Sequence, residues 1–150
     1  MTVRRGRFAI ALLGAMLLAG CLGGRRSGPQ ARPKVDYKVV KPAVAFALLQ
    51  DNESLIIIDL RPAGEYAGPG GHLNGAVNMP LSGLTDQLPN LWRLRRRTFL
   101  VYCDGSDCGP RGIRLLRDHG FLYVVLMDGG LPAWKGEGFG VVYGGAPRVP

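Results

Sequence analysis

The chain is short of the residues that build metal sites. It has three cysteines and two histidines in 150 residues, and the histidines, His72 and His119, lie far apart in sequence. His72 and the two cysteines Cys103 and Cys108 do not make a convincing ligand set for a tetrahedral metal, so the sequence implies neither a metal nor an organic cofactor. There is no internal repeat, and no apolar run approaches the roughly 20 residues a membrane-spanning helix needs. The longest, Phe8 to Leu18, is about half that. Acidic residues are few, 11 against 19 basic, for a formal charge of +8.

Part of that charge belongs to the first segment. Arg4, Arg5 and Arg7 precede the Phe8 to Leu18 run, the order of an export signal. The run ends in Leu18-Ala19-Gly20-Cys21, which resembles a bacterial lipobox. The resemblance implies cleavage after residue 20 and lipid on Cys21, placing the protein in a bacterial envelope, anchored to a membrane and facing the periplasm or exterior. Residues 21–35 (ending ARPKV) are rich in Gly, Pro and Arg and have no apolar period, as in a flexible tether. Arg93, Arg95, Arg96 and Arg97 form a basic run. In an exported chain it reads as a solvated helix end and not as a nucleic-acid site.

With 47% apolar and 20% charged residues, the remainder affords one domain with a real core, expected over residues 36–143 with a loose tail at 144–150. Asp36 to Val40 reads as an edge strand, and Pro42 opens a helix with Val44, Ala45, Leu48 and Leu49 on one face. Leu55-Ile56-Ile57-Ile58, continuously apolar, suits a strand buried on both faces of a parallel sheet, and Asp59-Leu60-Arg61 stands at its carboxyl end. A short helix over Pro62 to Tyr66 and a short strand at Ala76-Val77-Asn78 follow. Leucines 84, 88, 91 and 94 have helical spacing interrupted by Pro89, which predicts two short turns. Phe99 to Tyr102 is a buried strand and Leu122 to Met127 another, with a short helix at Leu131 to Lys135. Five strands alternating with helices predict an α/β fold, a small parallel sheet with helices on both faces.

The stretch between two of these elements carries the chemistry. After Tyr102 comes an arc, Cys103-Asp104-Gly105-Ser106-Asp107-Cys108, and then a helix expected from Pro110 to a Gly120 cap. A thiol at the carboxyl end of a strand, facing a helix amino end, sits where amides converge and a thiolate is favoured. Such a site suits a sulfur nucleophile meeting an anionic sulfur or oxygen donor. An oxidising compartment also permits a disulfide. Closing so small a loop would contribute only roughly 2 kcal/mol, so a structural bond and a catalytic thiol both stand. His72 is expected to hydrogen-bond structurally, Asp59 to bond neighbouring loop amides or Arg61, and Trp134 to pack beneath the sheet edge.

Three blocks, taken together, resemble the rhodanese-like domain family. They are Ile56 to Tyr66 (IIIDLRPAGEY), Gly71 to Pro80 (GHLNGAVNMP), and Phe99 to Phe139 with its GFLYVVLMDGGLPAWKGEGF ending. The resemblance covers about Asp36 to Phe139 and implies a small parallel α/β domain with sulfurtransferase activity. Cys103 stands at the family's catalytic cysteine, which takes sulfur as a persulfide and passes it to an acceptor thiol or cyanide. The loop departs from the common pattern, with Ser106 where glycine is usual and Cys108 where arginine is usual. A group with a second loop cysteine is more similar. The implied site is Cys103 and Cys108 as catalytic residues, with Asp104, Gly105, Ser106, Asp107 and Arg111 around the substrate. Asp104 and Asp107 would oppose thiosulfate. Three functions follow: a sulfurtransferase acting on a small sulfur donor or a protein persulfide, a dithiol redox or persulfide-resolving factor, and a non-catalytic binding module.

Overall fold

The computed structural model describes residues 37–105 and 107–144. The expected signal, the lipidated Cys21, its tether, Ser106 and residues 145–150 lie outside the described residues. Five strands form one parallel sheet: β1 (Lys38–Val40), β2 (Ile56–Asp59), β3 (Val77–Asn78), β4 (Phe99–Tyr102) and β5 (Val124–Met127). Their spatial order is β1-β5-β4-β2-β3, so β4 is the central strand. Among the described residues five α-helices connect and cover them: α1 (Pro42–Asp51), α2 (Ala63–Tyr66), α3 (Leu84–Leu91), α4 (Cys108–Asp118) and α5 (Gly130–Gly136).

Side chains alternate across a strand, and each central strand therefore feeds two cores. Ile58, Phe99 and Val101 pack with Leu84, Leu88 and Leu91 of α3 and with Ile113 and Leu116 of α4. Ile57, Leu100 and Tyr102 pack on the other face with Ala45 of α1, Tyr66 of α2, and Leu131 and Trp134 of α5. Apolar residues on both faces explain why the IIID and FLVY segments show no polar alternation. Trp134 is buried in the second core, and its indole N–H donates to the Gly140 carbonyl at 2.9 Å.

Four local expectations need correction. Pro89 does not break its helix. α3 runs through it to Leu91, and a 3₁₀ turn (Trp92–Leu94) follows. Burial of Leu84, Leu88 and Leu91 holds the helix, while Pro89 stands on the exposed side, where water can satisfy the carbonyl that loses its partner. Helix α4 starts at Cys108, two residues before Pro110. The Asp107 carbonyl accepts the Arg111 N–H at 3.1 Å, and Pro110 stays within the first turn, where an N–H has no intrahelical partner. Val44 is exposed, because α1 buries Pro42 and Ala45. Leu122 and Tyr123 precede β5 and are exposed beyond the sheet's amino edge.

Candidate active site

The period of two that sends Val101 toward α4 sends Cys103 the same way. Cys103 directly follows the central strand, is 7% exposed, and belongs to the α4-side core. Gly105 (φ +106°) turns the chain back, and Cys108 opens α4. The two sulfurs are joined as a disulfide across five residues, with Cα atoms 5.9 Å apart. The arc therefore holds both thiols within bonding reach.

Of the other residues expected around substrate, Asp104 faces the protein. Its Oδ1 accepts the Leu131 N–H at 2.9 Å and its Oδ2 lies 3.5 Å from Arg61 Nη1. Asp107 is the exposed N-cap of α4, without a side-chain cap bond. Arg111 is exposed on the first turns of α4 and makes no ion pair among the described residues.

Behind the arc lies a buried polar cluster. The carboxyl ends of β2 and β4 are in register, with Asp59 beside Tyr102. Asp59 is fully buried and Arg61 is 3% exposed. Arg61 Nη2 is 2.6 Å from Asp59 Oδ2, Nε is 3.0 Å from Oδ1, and the Arg61 backbone N–H also donates to Oδ1 at 2.9 Å. Nη2 further donates to the Gly71 carbonyl at 2.9 Å. Tyr102 donates its hydroxyl proton to Asp59 Oδ2 at 2.6 Å and accepts the Leu73 N–H at 3.2 Å. Burial works against the Arg61 charge, but the hydrogen bonds and charge of Asp59 outweigh it and hold the guanidinium above its ordinary range. Burial, then the Asp59 charge, pushes Tyr102 well above its ordinary value, so its hydroxyl stays protonated and donates. Arg61 and Tyr102 are the members that sequence patterning underplays. Aligning the last residues of IIID and FLVY across a parallel pair is the signal that locates Tyr102.

The histidines stand apart from this chemistry. His72 is buried, its Nδ1 is 3.0 Å from the Tyr66 carbonyl oxygen, and its ring stacks on Tyr66 with centroids 3.6 Å apart. His119 Nδ1 lies 2.8 Å from the Leu115 carbonyl oxygen. Among the described residues no group of three acidic, histidine or cysteine side chains is placed to hold a metal.

Beside Cys103 a pocket of about 450 Å³ opens between β1, β5 and the start of α4, lined by Tyr37, Val39, Gly109, Leu126, Met127 and Asp128 among others. A parallel sheet with a cysteine loop and a pocket at its carboxyl edge is an α/β architecture of the kind whose ligands collect at that edge. The family is shown by comparison: residues 42–137 match the model of the rhodanese-like domain, and the chain belongs to that family. The Synechocystis protein slr1261 is 32% identical over 95 residues, 63% of this chain and 50% of its own length. The crystal structure of the Alr3790 protein from Anabaena superposes with a TM-score of 0.63 at 30% identity, covering 69% of this chain and 81% of that one. Thiosulfate sulfurtransferase from Pseudomonas aeruginosa gives a TM-score of 0.63 at 29% identity, covering 71% of this chain. The chain spans half of the Synechocystis protein and 20% of the Pseudomonas chain.

Proposed function

We propose that the protein is a sulfurtransferase that carries sulfane sulfur as a persulfide on Cys103, with Cys108 as the resolving thiol. The reading rests above all on one juxtaposition: Cys103 directly follows the central strand, lines a pocket, and lies within bonding reach of Cys108 at the start of α4. The likeness to a thiosulfate sulfurtransferase of Pseudomonas and to adenylyltransferase and sulfurtransferase proteins of maize, 30% identical over 92 residues, supports the same class.

In the first step the Cys103 thiolate attacks the outer sulfur of a donor R–S–S–H. The sulfur–sulfur bond of the donor breaks, R–S⁻ leaves, and Cys103 becomes Cys–S–S–H with the proton still on the transferred sulfur. An acceptor thiolate or cyanide then removes that outer sulfur and restores the Cys103 thiolate. Without an acceptor, the Cys108 thiolate attacks the Cys103 sulfur, HS⁻ leaves, and the 103–108 disulfide forms. An external dithiol must then reduce it before another turnover. The disulfide is the resting end of this second branch, and it also favours the reading of the pair as a dithiol redox factor.

The test is sulfur transfer to cyanide from thiosulfate and from a thiol persulfide, with dithiol present. The wild-type chain should form thiocyanate from the persulfide faster than the uncatalysed reaction, and Cys103→Ser should fall to the uncatalysed rate. Thiocyanate formation by Cys103→Ser at the wild-type rate would remove the assignment.

The lipobox-like LAGC supports a tether that would hold this chemistry at a membrane of the cell envelope. Cys21→Ala should leave a full-length, unlipidated precursor on a gel, and normal maturation of that variant would contradict the tether.

A further inference from the structure

The pocket beside Cys103 carries an unbalanced charge. Among its described lining residues there is no lysine, arginine or histidine, and Asp128 is the one ionisable acid. The Asp128 backbone N–H donates to the Val40 carbonyl at 2.8 Å, which fixes the residue where β5 ends. Its carboxylate has no ion-pair or hydrogen-bond partner among the described residues and is exposed. The turn that carries it packs on the nucleophile's own backbone. A Cβ placed at Gly130 would stand 2.3 Å from the Cys103 carbonyl oxygen. The lining also includes the apolar residues Val39, Leu126 and Met127, and Tyr37. A volume of about 450 Å³ fits a small organic molecule, since clefts of roughly 300–1,000 Å³ commonly hold such ligands.

An inorganic donor such as thiosulfate would bring two negative charges into a pocket that has a carboxylate and no side-chain cation. That pairing is repulsive at any contact distance, whereas an ammonium group at the same place is attracted. Resting on the sulfurtransferase reading above, we infer that the donor for Cys103 is the persulfide of a small thiol bearing an ammonium group, with Asp128 as the specificity-determining residue. The organic part lies on Val39, Leu126 and Met127, the ammonium meets Asp128, and the terminal sulfur points at Cys103. Cys103 takes the outer sulfur of this donor, and the R–S⁻ that leaves is an aminothiolate.

The experiment compares kcat/KM of the reduced full-length chain for three donors: cysteamine persulfide, 3-mercaptopropionate persulfide and thiosulfate. The first two share a similar size and oppose each other in charge. The wild-type chain should prefer cysteamine persulfide to the mercaptopropionate compound by about tenfold at low salt, a scale set by one contact between unit charges near a surface. Asp128→Asn should lower that ratio about fivefold and Asp128→Lys should invert it, with the preference shrinking as salt rises. Equal ratios in wild type and Asp128→Asn, or a wild-type preference for thiosulfate, would overturn the inference while leaving sulfur transfer in place. Failure of all three donors to modify Cys103 would instead overturn the sulfurtransferase reading on which it rests.

Discussion

Gly130, at φ +57°, sits against the backbone of Cys103 so closely that any side chain would strike the Cys103 carbonyl. The same glycine opens α5, whose Leu131 N–H donates to Asp104 Oδ1 at 2.9 Å. Helix α5 thus seats the cysteine loop from one side, by close approach at residue 130 and a charge-assisted bond at residue 131.

Gly130→Ala is therefore expected to destabilise the fold by about 1–3 kcal/mol, through the clash and the left-handed backbone together. It should lower sulfur transfer as well, because the loop must shift to accept the methyl group. Gly136→Ala in the same helix is the control. Its Cβ would meet nothing within 4 Å, and stability should hold or rise slightly. Thermal melts and thiocyanate assays of both variants check this.

Much of this frame is legible in the amino-acid sequence. The IIID and FLVY runs, Gly120 at φ +85° after α4, and the Asp59–Arg61 pairing all follow from local rules of pattern, capping and short-range charge. What escapes is long-range. The partners of Asp104 lie 27 and 43 residues away, so spacing alone assigns its carboxylate to the substrate side of the loop. Pro89 stays in a helix because the three leucines of α3 outweigh one lost hydrogen bond, a balance that tertiary packing decides. The position of Asp128 beside Cys103 depends on strand order, since β5 pairs with β4 although some 20 residues separate them.

The Asp59 cluster predicts a large, specific loss. Asp59→Ala leaves the Arg61 guanidinium buried with only the distant Asp104 carboxylate as a counter-charge and the Gly71 carbonyl as a close acceptor, and it removes the acceptor of Tyr102. The expected cost is about 3–5 kcal/mol in urea unfolding. The double variant Asp59→Leu/Arg61→Met, which deletes both charges, should recover much of it.

The same cluster sets an alkaline limit. The Tyr102 hydroxyl titrates at 10.0 when unperturbed and higher in the fold. On raising the pH through 10 the unfolded chain releases this proton first, so it binds fewer protons than the native state and stability falls. The contribution is complete below pH 10 and is lost progressively above it. Tyr102→Phe should have lower stability at pH 7, from the lost bond to Asp59, and a shallower decline between pH 10 and 11. An unchanged alkaline slope in that variant would place the limit elsewhere.

Whether Cys103 holds sulfur and Cys108 releases it is decided by intact-protein mass spectrometry of Cys108→Ser after brief exposure to a thiol persulfide. The expected result is a gain of one sulfur atom, about 32 Da, mapped to the Cys103 peptide, persisting until an acceptor is added, while the wild-type chain treated alike collapses to the 103–108 disulfide. A Cys108→Ser chain that gains no sulfur on Cys103, or loses it as fast as the wild type, would contradict the account.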